Sequence, residues 1–207
     1  MTFSQEIGSL TAQGADSNLL PSLIRRLSVI TPSESAASDK SYDKFEDNST
    51  AYEQTLITSF LVSADVAHSV NPNYASKYEP DHKPEMNKGT VLKINANARY
   101  ATNAPGIVLV QEVARRAQAA NLPHVQAKSQ GVPLQQFVVR NDSPCGGTIG
   151  PMLAAKLGVR TLDLGNPILS MHSIRETGGA YDVEHGINLF ESFYRNYGEL
   201  ESKIVVD

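Results

Sequence analysis

The chain has 207 residues, 41% hydrophobic and 19% charged, a balance expected of one globular unit with a sizeable core. Its net charge of -4 and isoelectric point near 5.7 offer no clustered Lys/Arg field, which excludes nucleic acid and anionic membrane as expected partners. No apolar run reaches the roughly 18 residues that span a bilayer, and the first residues lack a basic start followed by an apolar core. Cys145 is alone, so no intrachain disulfide forms; a reducing compartment suits it, and it reads as a small buried hydrophobe.

In chain order, Leu19, Leu20, Leu23, Ile24 and Leu27 share one face behind the N-cap types Asp16 and Ser17, which predicts an amphipathic helix. Residues 31–50 are rich in Ser, acids and lysines with little to bury, and a flexible surface loop is expected. A helix at about 51–60 leads into the short apolar strand Leu61–Asp65, which ends at the carboxylate. Residues 74–88, rich in Pro, Lys and Glu, read as loop. Thr90–Ile94 has strand composition interrupted by Lys93. Pro105 suits a helix start, with Ile107, Val110, Ala114 and Ala117 on one face. Gln136–Arg140 is the next strand. Gly146–Pro151 opens a helix that closes at Gly158, and the alternating strand Val159–Leu164 follows. In a last helix at 181–197, Ile187, Phe190, Tyr194 and Tyr197 share a face that is expected to pack into the core.

This alternation predicts an α/β fold, a three-layer sandwich with helices on both sides of a mixed, partly parallel sheet. Such a fold does not name a function, which has to come from polar residues at strand ends and loops.

Three runs carry that information: residues 63–74 (SADVAHSVNPNY), residues 141–151 (NDSPCGGTIGP), and Leu162-Asp163-Leu164-Gly165 followed by residues 170–176 (SMHSIRE). With residues 8–15 (GSLTAQGA), they resemble the aspartyl aminopeptidase family of two-zinc metalloaminopeptidases, in order and over essentially the whole chain. The resemblance implies that residues 1–207 are the C-terminal portion of the catalytic domain, without a complete oligomerisation domain. It also implies a cytosolic or vacuolar exopeptidase that removes N-terminal Asp or Glu from peptides. Such an enzyme would work as a homo-oligomer or in association with full-length subunits.

By the same resemblance, Glu6 and His172 bind one zinc and Asp65 binds the second. Carboxylate oxygens and imidazole nitrogens suit Zn²⁺, and paired ions activate a water while polarising the scissile carbonyl. The family's bridging aspartate and first histidine ligand have no counterpart in the chain. Gln5 stands where the family has its general-base Glu, and a neutral amide cannot take the proton from water and return it to the amine. Lys93 matches the lysine that meets the acidic side chain of the substrate's first residue, His68 a histidine near the reacting carbonyl, and Tyr100 a pocket-lining residue.

Taken without the family, each of these residues has a plainer role. Asp65 caps the loop after its strand, His172 is a buried hydrogen-bonded histidine, and Glu6 is a solvated acid. Lys93 snorkels from an edge strand, and His68 is an ordinary loop histidine. Arg175 and Glu176 either position His172 or pair with each other. Three functions are therefore open: part of a longer active enzyme, a non-catalytic structural or regulatory partner of full-length subunits, or a short hydrolase with a single metal. That last site would consist of Glu6, His172 and either His68 or Asp65. Central strands missing from the sheet would leave an open edge, so self-association is expected.

Overall fold

The computed structural model describes residues 8–29, 50–118 and 131–203. Gln5, Glu6 and the predicted loop at 31–50, apart from Thr50, lie outside these residues. The elements are α1 (Leu19–Ser28), α2 (Ala51–Ile57), β1 (Phe60–His68), β2 (Thr90–Ile94), α3 (Ala104–Arg116), β3 (Leu134–Val138), α4 (Ile149–Leu157), β4 (Arg160–Leu169), β5 (Thr177–Gly178) and α5 (Ala180–Glu201). They fall into two compact units: residues up to Phe60 together with Met152–Arg160, and Leu61–Pro151 together with residues from Thr161 onward.

In the first unit Leu20 of α1 and Leu56 of α2 are buried. The Arg25 guanidinium lies 4.0 Å from the centre of the Tyr52 ring, a cation–π contact between the two helices. Lys156 donates to the Asp16 carbonyl, and Gly158, at φ +67, ends α4 in the left-handed conformation that glycine adopts without strain.

The second unit is organised by an open mixed sheet in the order β1-β4-β2-β3, with β5 paired to β4. β2 runs parallel to β3, with Lys93 opposite Phe137, and antiparallel to β4, with Val91 opposite Gly165. Val91, Leu92, Leu162 and Leu164 form the buried sheet core. The Asn103 side chain caps α3 by accepting from Gly106 N at 2.9 Å, with Pro105 in the first turn. α3 then packs on α5, where the Ser192 hydroxyl donates to the Val113 carbonyl at 2.7 Å. At the start of α5 the buried Asp182 carboxylate accepts from Asn87 N (2.6 Å) and Gly89 N (2.8 Å), which fixes the turn that delivers β2. Asn87 and Gly89 hold φ of 64 and 99 there.

Several predicted boundaries move. β1 continues through Asp65 to His68, so the carboxylate lies within the strand rather than at its end. β4 continues to Leu169 because β5 extends its pairing. β3 ends at Val138, and Arg140 instead pairs with Asp142 at 2.6 Å in the loop beyond. Lys93 belongs to an inner strand, not an edge. The expected core face of α5 is also corrected: Ile187 is 60% and Tyr194 67% exposed. Asp182, His185, Gly186, Leu189, Ser192 and Leu200 are buried in their place. Both faces of α5 carry apolar residues, and the packing of α3 on one of them decides which is covered.

Gly165 leaves no room for a side chain between β4 and β1: a Cβ there would lie 1.9 Å from the Asp65 carbonyl oxygen. Gly165→Ala is therefore expected to cost about 1–3 kcal/mol through forced backbone displacement. Denaturant unfolding checks this, and a change within about 0.5 kcal/mol, the ordinary surface range, would show that the strands are not so tightly apposed.

Candidate functional site

Asp65, His68, Lys93, Tyr100 and His172 all lie in the second unit. The pleat of β1 and β2 sets the central contact. Lys93 Nζ donates to Asp65 Oδ2 at 3.1 Å and to the Val66 carbonyl at 3.0 Å, while Asp65 Oδ1 accepts from Val66 N at 2.6 Å. Lys93 is only 2% exposed, and a buried ammonium persists only when it is neutralised and its donors are satisfied. Asp65 does the neutralising, with 26% of its side chain still open to solvent.

Tyr100 forms the next wall. Its ring centre lies 5.4 Å from Lys93 Nζ, and its hydroxyl accepts from the Cys145 thiol at 3.3 Å. Burial pushes the Tyr100 hydroxyl well above its ordinary value, and the Cys145 thiol and the Asp163 and Asp65 carboxylates push it further, so it stays neutral. Cys145 is partly exposed, which corrects its reading as a buried hydrophobe; it stands on a loop and also donates to its neighbour's carbonyl.

His68, at the end of β1, is exposed as a residue, yet its ring packs edge-on to Phe137 with centroids 6.2 Å apart. Partial burial lowers its pKa first, the Lys93 and His172 charges lower it further, and Asp65 acts in the opposite sense. These four groups thus share one electrostatic neighbourhood. His172 is exposed, not buried, on the loop after β4, at φ +65. Its backbone N–H donates to Glu176 Oε1 at 2.6 Å, so Glu176 braces the loop.

One residue that motif reasoning left without a role organises the rest. Asp163, fully buried on β4, accepts from Ala101 N and from the Thr148 hydroxyl, each at 2.6 Å. It thereby ties the loop carrying Tyr100 to the loop carrying Cys145, and Thr148 N donates to the Arg99 carbonyl at 3.2 Å across the same junction. Gly150 has to be glycine here, because a Cβ would lie 2.2 Å from Asp163 Oδ2. The available signal was a lone acid in the apolar strand Leu162-Asp163-Leu164.

As a metal site the described residues are incomplete. Both Asp65 oxygens already have partners, and no group of three or more His, Cys, Asp or Glu able to hold an ion occurs among the described residues. They do not fit a zinc ion by themselves.

A mixed sheet flanked by helices, with a buried ammonium, a carboxylate and two imidazoles gathered on its strands and loops, places the chain in the α/β class. Over residues 2–194 the chain matches the family described as Aminopeptidase I zinc metalloprotease (M18), and it belongs to that family. It is 64% identical over 203 residues to an aspartyl aminopeptidase of Aspergillus oryzae, covering 98% of this chain and 38% of that protein. Its fold is similar to a chain in the cryo-EM structure of the Ape4 and Nbr1 complex, with TM-score 0.78 and 48% identity over 97% of this chain and 33% of that one. It is also similar to a chain of the Saccharomyces cerevisiae mApe1 dodecamer, with TM-score 0.68 and 36% identity over 95% of this chain and 37% of that one. The chain thus spans 33–38% of the lengths of these relatives.

The charges around His68 make a signed prediction. With chelator present, its imidazole titrates below 6.5. Lys93→Met raises that value by removing a cation, and Asp65→Asn lowers it by removing an anion. NMR titration of the ring protons reads all three, and shifts in the opposite directions would contradict this electrostatic grouping.

Proposed function

We propose that this chain is the C-terminal part of the catalytic domain of a zinc aminopeptidase that releases N-terminal Asp or Glu from peptides. The observation that carries the reading is Lys93, a buried cation held by Asp65 and walled by Tyr100. A compact fixed ammonium favours an acidic side chain over a neutral one, which offers it no charge. Membership of a zinc metalloprotease family supports the hydrolase class and the expectation of zinc.

In this reading Asp65 and His172 contribute to metal binding together with Glu6, Lys93 and Tyr100 receive the first residue of the peptide, and His68 stands near the reacting carbonyl as a donor. Bound zinc would supply Lewis acidity and an activated water. The chain's own residues supply recognition: Lys93 holds the acid and Tyr100, kept neutral, excludes water from it. Gln5 occupies the position of the proton-transferring base and can neither accept nor return that proton. We therefore assign no turnover to this chain alone. A second reading, a non-catalytic partner of full-length subunits, is favoured by Gln5. Likeness to a chain of the mApe1 dodecamer supports assembly with further subunits, and the exposed Ile187 and Tyr194 suit such packing. The compartment proposed is the cytosol or vacuole; no described helix is long and apolar enough to cross a membrane.

Grafting the chain in place of the matching segment of the Aspergillus oryzae relative tests the first reading. With Gln5 the chimera should hydrolyse an N-terminal Asp peptide about 10²- to 10⁴-fold more slowly than with Gln5→Glu. Equal rates would overturn the assignment of position 5, and failure of both chimeras to hydrolyse, with folding intact, would favour the non-catalytic reading.

A further inference from the structure

β2 and β3 run parallel, so the loops that leave them emerge at the same edge of the sheet, the edge where ligands of α/β sheets collect. Between these loops lies a cleft of about 310 Å³ lined by Asn95, Asn97, Arg99, Ser143 and Cys145, among others. That volume is at the lower end of ligand pockets and suits one side chain or a short peptide segment. The cleft is a built feature. Asp163 clamps its two loops through Ala101 N and the Thr148 hydroxyl, and Thr148 N closes the junction on the Arg99 carbonyl. Ala98 is held at φ 54, a conformation that a non-glycine residue adopts at a cost unless its surroundings impose it.

The chemistry of the lining is one-sided. Arg99 is its only charged residue and is exposed, and its guanidinium has no hydrogen bond or ion pair among the described residues. Asparagine amides and the Ser143 hydroxyl surround it with neutral donors. The cleft is linked to Lys93 by contacts, since Cys145 lines the cleft and donates to the hydroxyl of Tyr100, whose ring faces Lys93.

We propose that this cleft is a second carboxylate subsite, which takes the acidic side chain of the residue after an acidic N-terminal residue, with Arg99 as its cation. The inference rests on the peptide reading of Lys93 and extends it: the preferred ligand is a peptide that begins with two acidic residues. The chain's net charge of -4 gives no general attraction for such a ligand, so any preference has to arise locally.

Binding without turnover tests it on the full chain, using the peptides Asp-Glu-Ala, Asp-Ala-Ala and Leu-Ala-Ala in calorimetry at low salt. Asp-Glu-Ala should bind about five- to ten-fold more tightly than Asp-Ala-Ala, the scale of one charge-assisted hydrogen bond at a partly exposed site. Arg99→Gln, a surface change, should bring the two to equal affinity. A second readout uses the chain's single thiol: Asp-Glu-Ala should slow alkylation of Cys145 by iodoacetamide more than Asp-Ala-Ala does, and this difference should vanish in Arg99→Gln. A preference that survives Arg99→Gln overturns the proposal. So does equal binding of the two acidic peptides; if both still outbind Leu-Ala-Ala, the Lys93 reading stands while the cleft falls. Equal binding of all three peptides overturns both.

Discussion

An ammonium buried to 2% exposure within a sheet is stable only where an anion and further acceptors surround it, and Lys93 imposes that condition on everything near it. β4 lies between β2 and β1 in the sheet, so the Asp65 carboxylate reaches Lys93 across an intervening strand. Gly165 keeps β4 free of a side chain against the Asp65 backbone. Composition at one position of β4 thus permits a contact between residues of two other strands.

From that pair the remaining geometry is built outward by hydrogen bonds to loops. Tyr100 is set against Lys93 because the backbone of its neighbour Ala101 is held by Asp163, and the same carboxylate holds Thr148 in the facing loop. Gly150 leaves room for this carboxylate, which explains a glycine in a run that looks like a simple helix entrance. His172 is arranged differently: its loop is braced by Glu176, and the imidazole reaches the cluster by electrostatics through His68. The result is a wall of side chains fixed by buried polar contacts beside a histidine loop open to solvent.

The degree to which this was legible in the sequence follows the range of the interactions. Thr90–Ile94 is readable as a strand to the residue, because its apolar run is bounded by Gly89 at φ 99 and by Asn95. Gly158 marks the end of α4 for an equally local reason. Asp65 invites the end of a strand, because a carboxylate in an apolar run usually signals a loop. Only the partner 28 residues away, Lys93, keeps it in the ladder. The two apolar faces of α5 are indistinguishable by periodicity, and α3 makes the choice. The resemblance drew attention to Asp65, His68, Lys93, Tyr100 and His172, and the two open roles of Glu176 resolve to the one in which it holds the His172 backbone, while Asp163 escaped notice because its role is contact with other loops rather than chemistry of its own.

The most direct measurement is a double-mutant cycle on unfolding free energy with Lys93→Met, Asp65→Asn and the pair together. Each single change should cost about 3 kcal/mol, the low end for a buried ion pair because Asp65 keeps 26% of its side chain exposed. The double variant should cost clearly less than the sum, since neither buried charge is then left alone. Strictly additive losses would contradict the central place given to this pair.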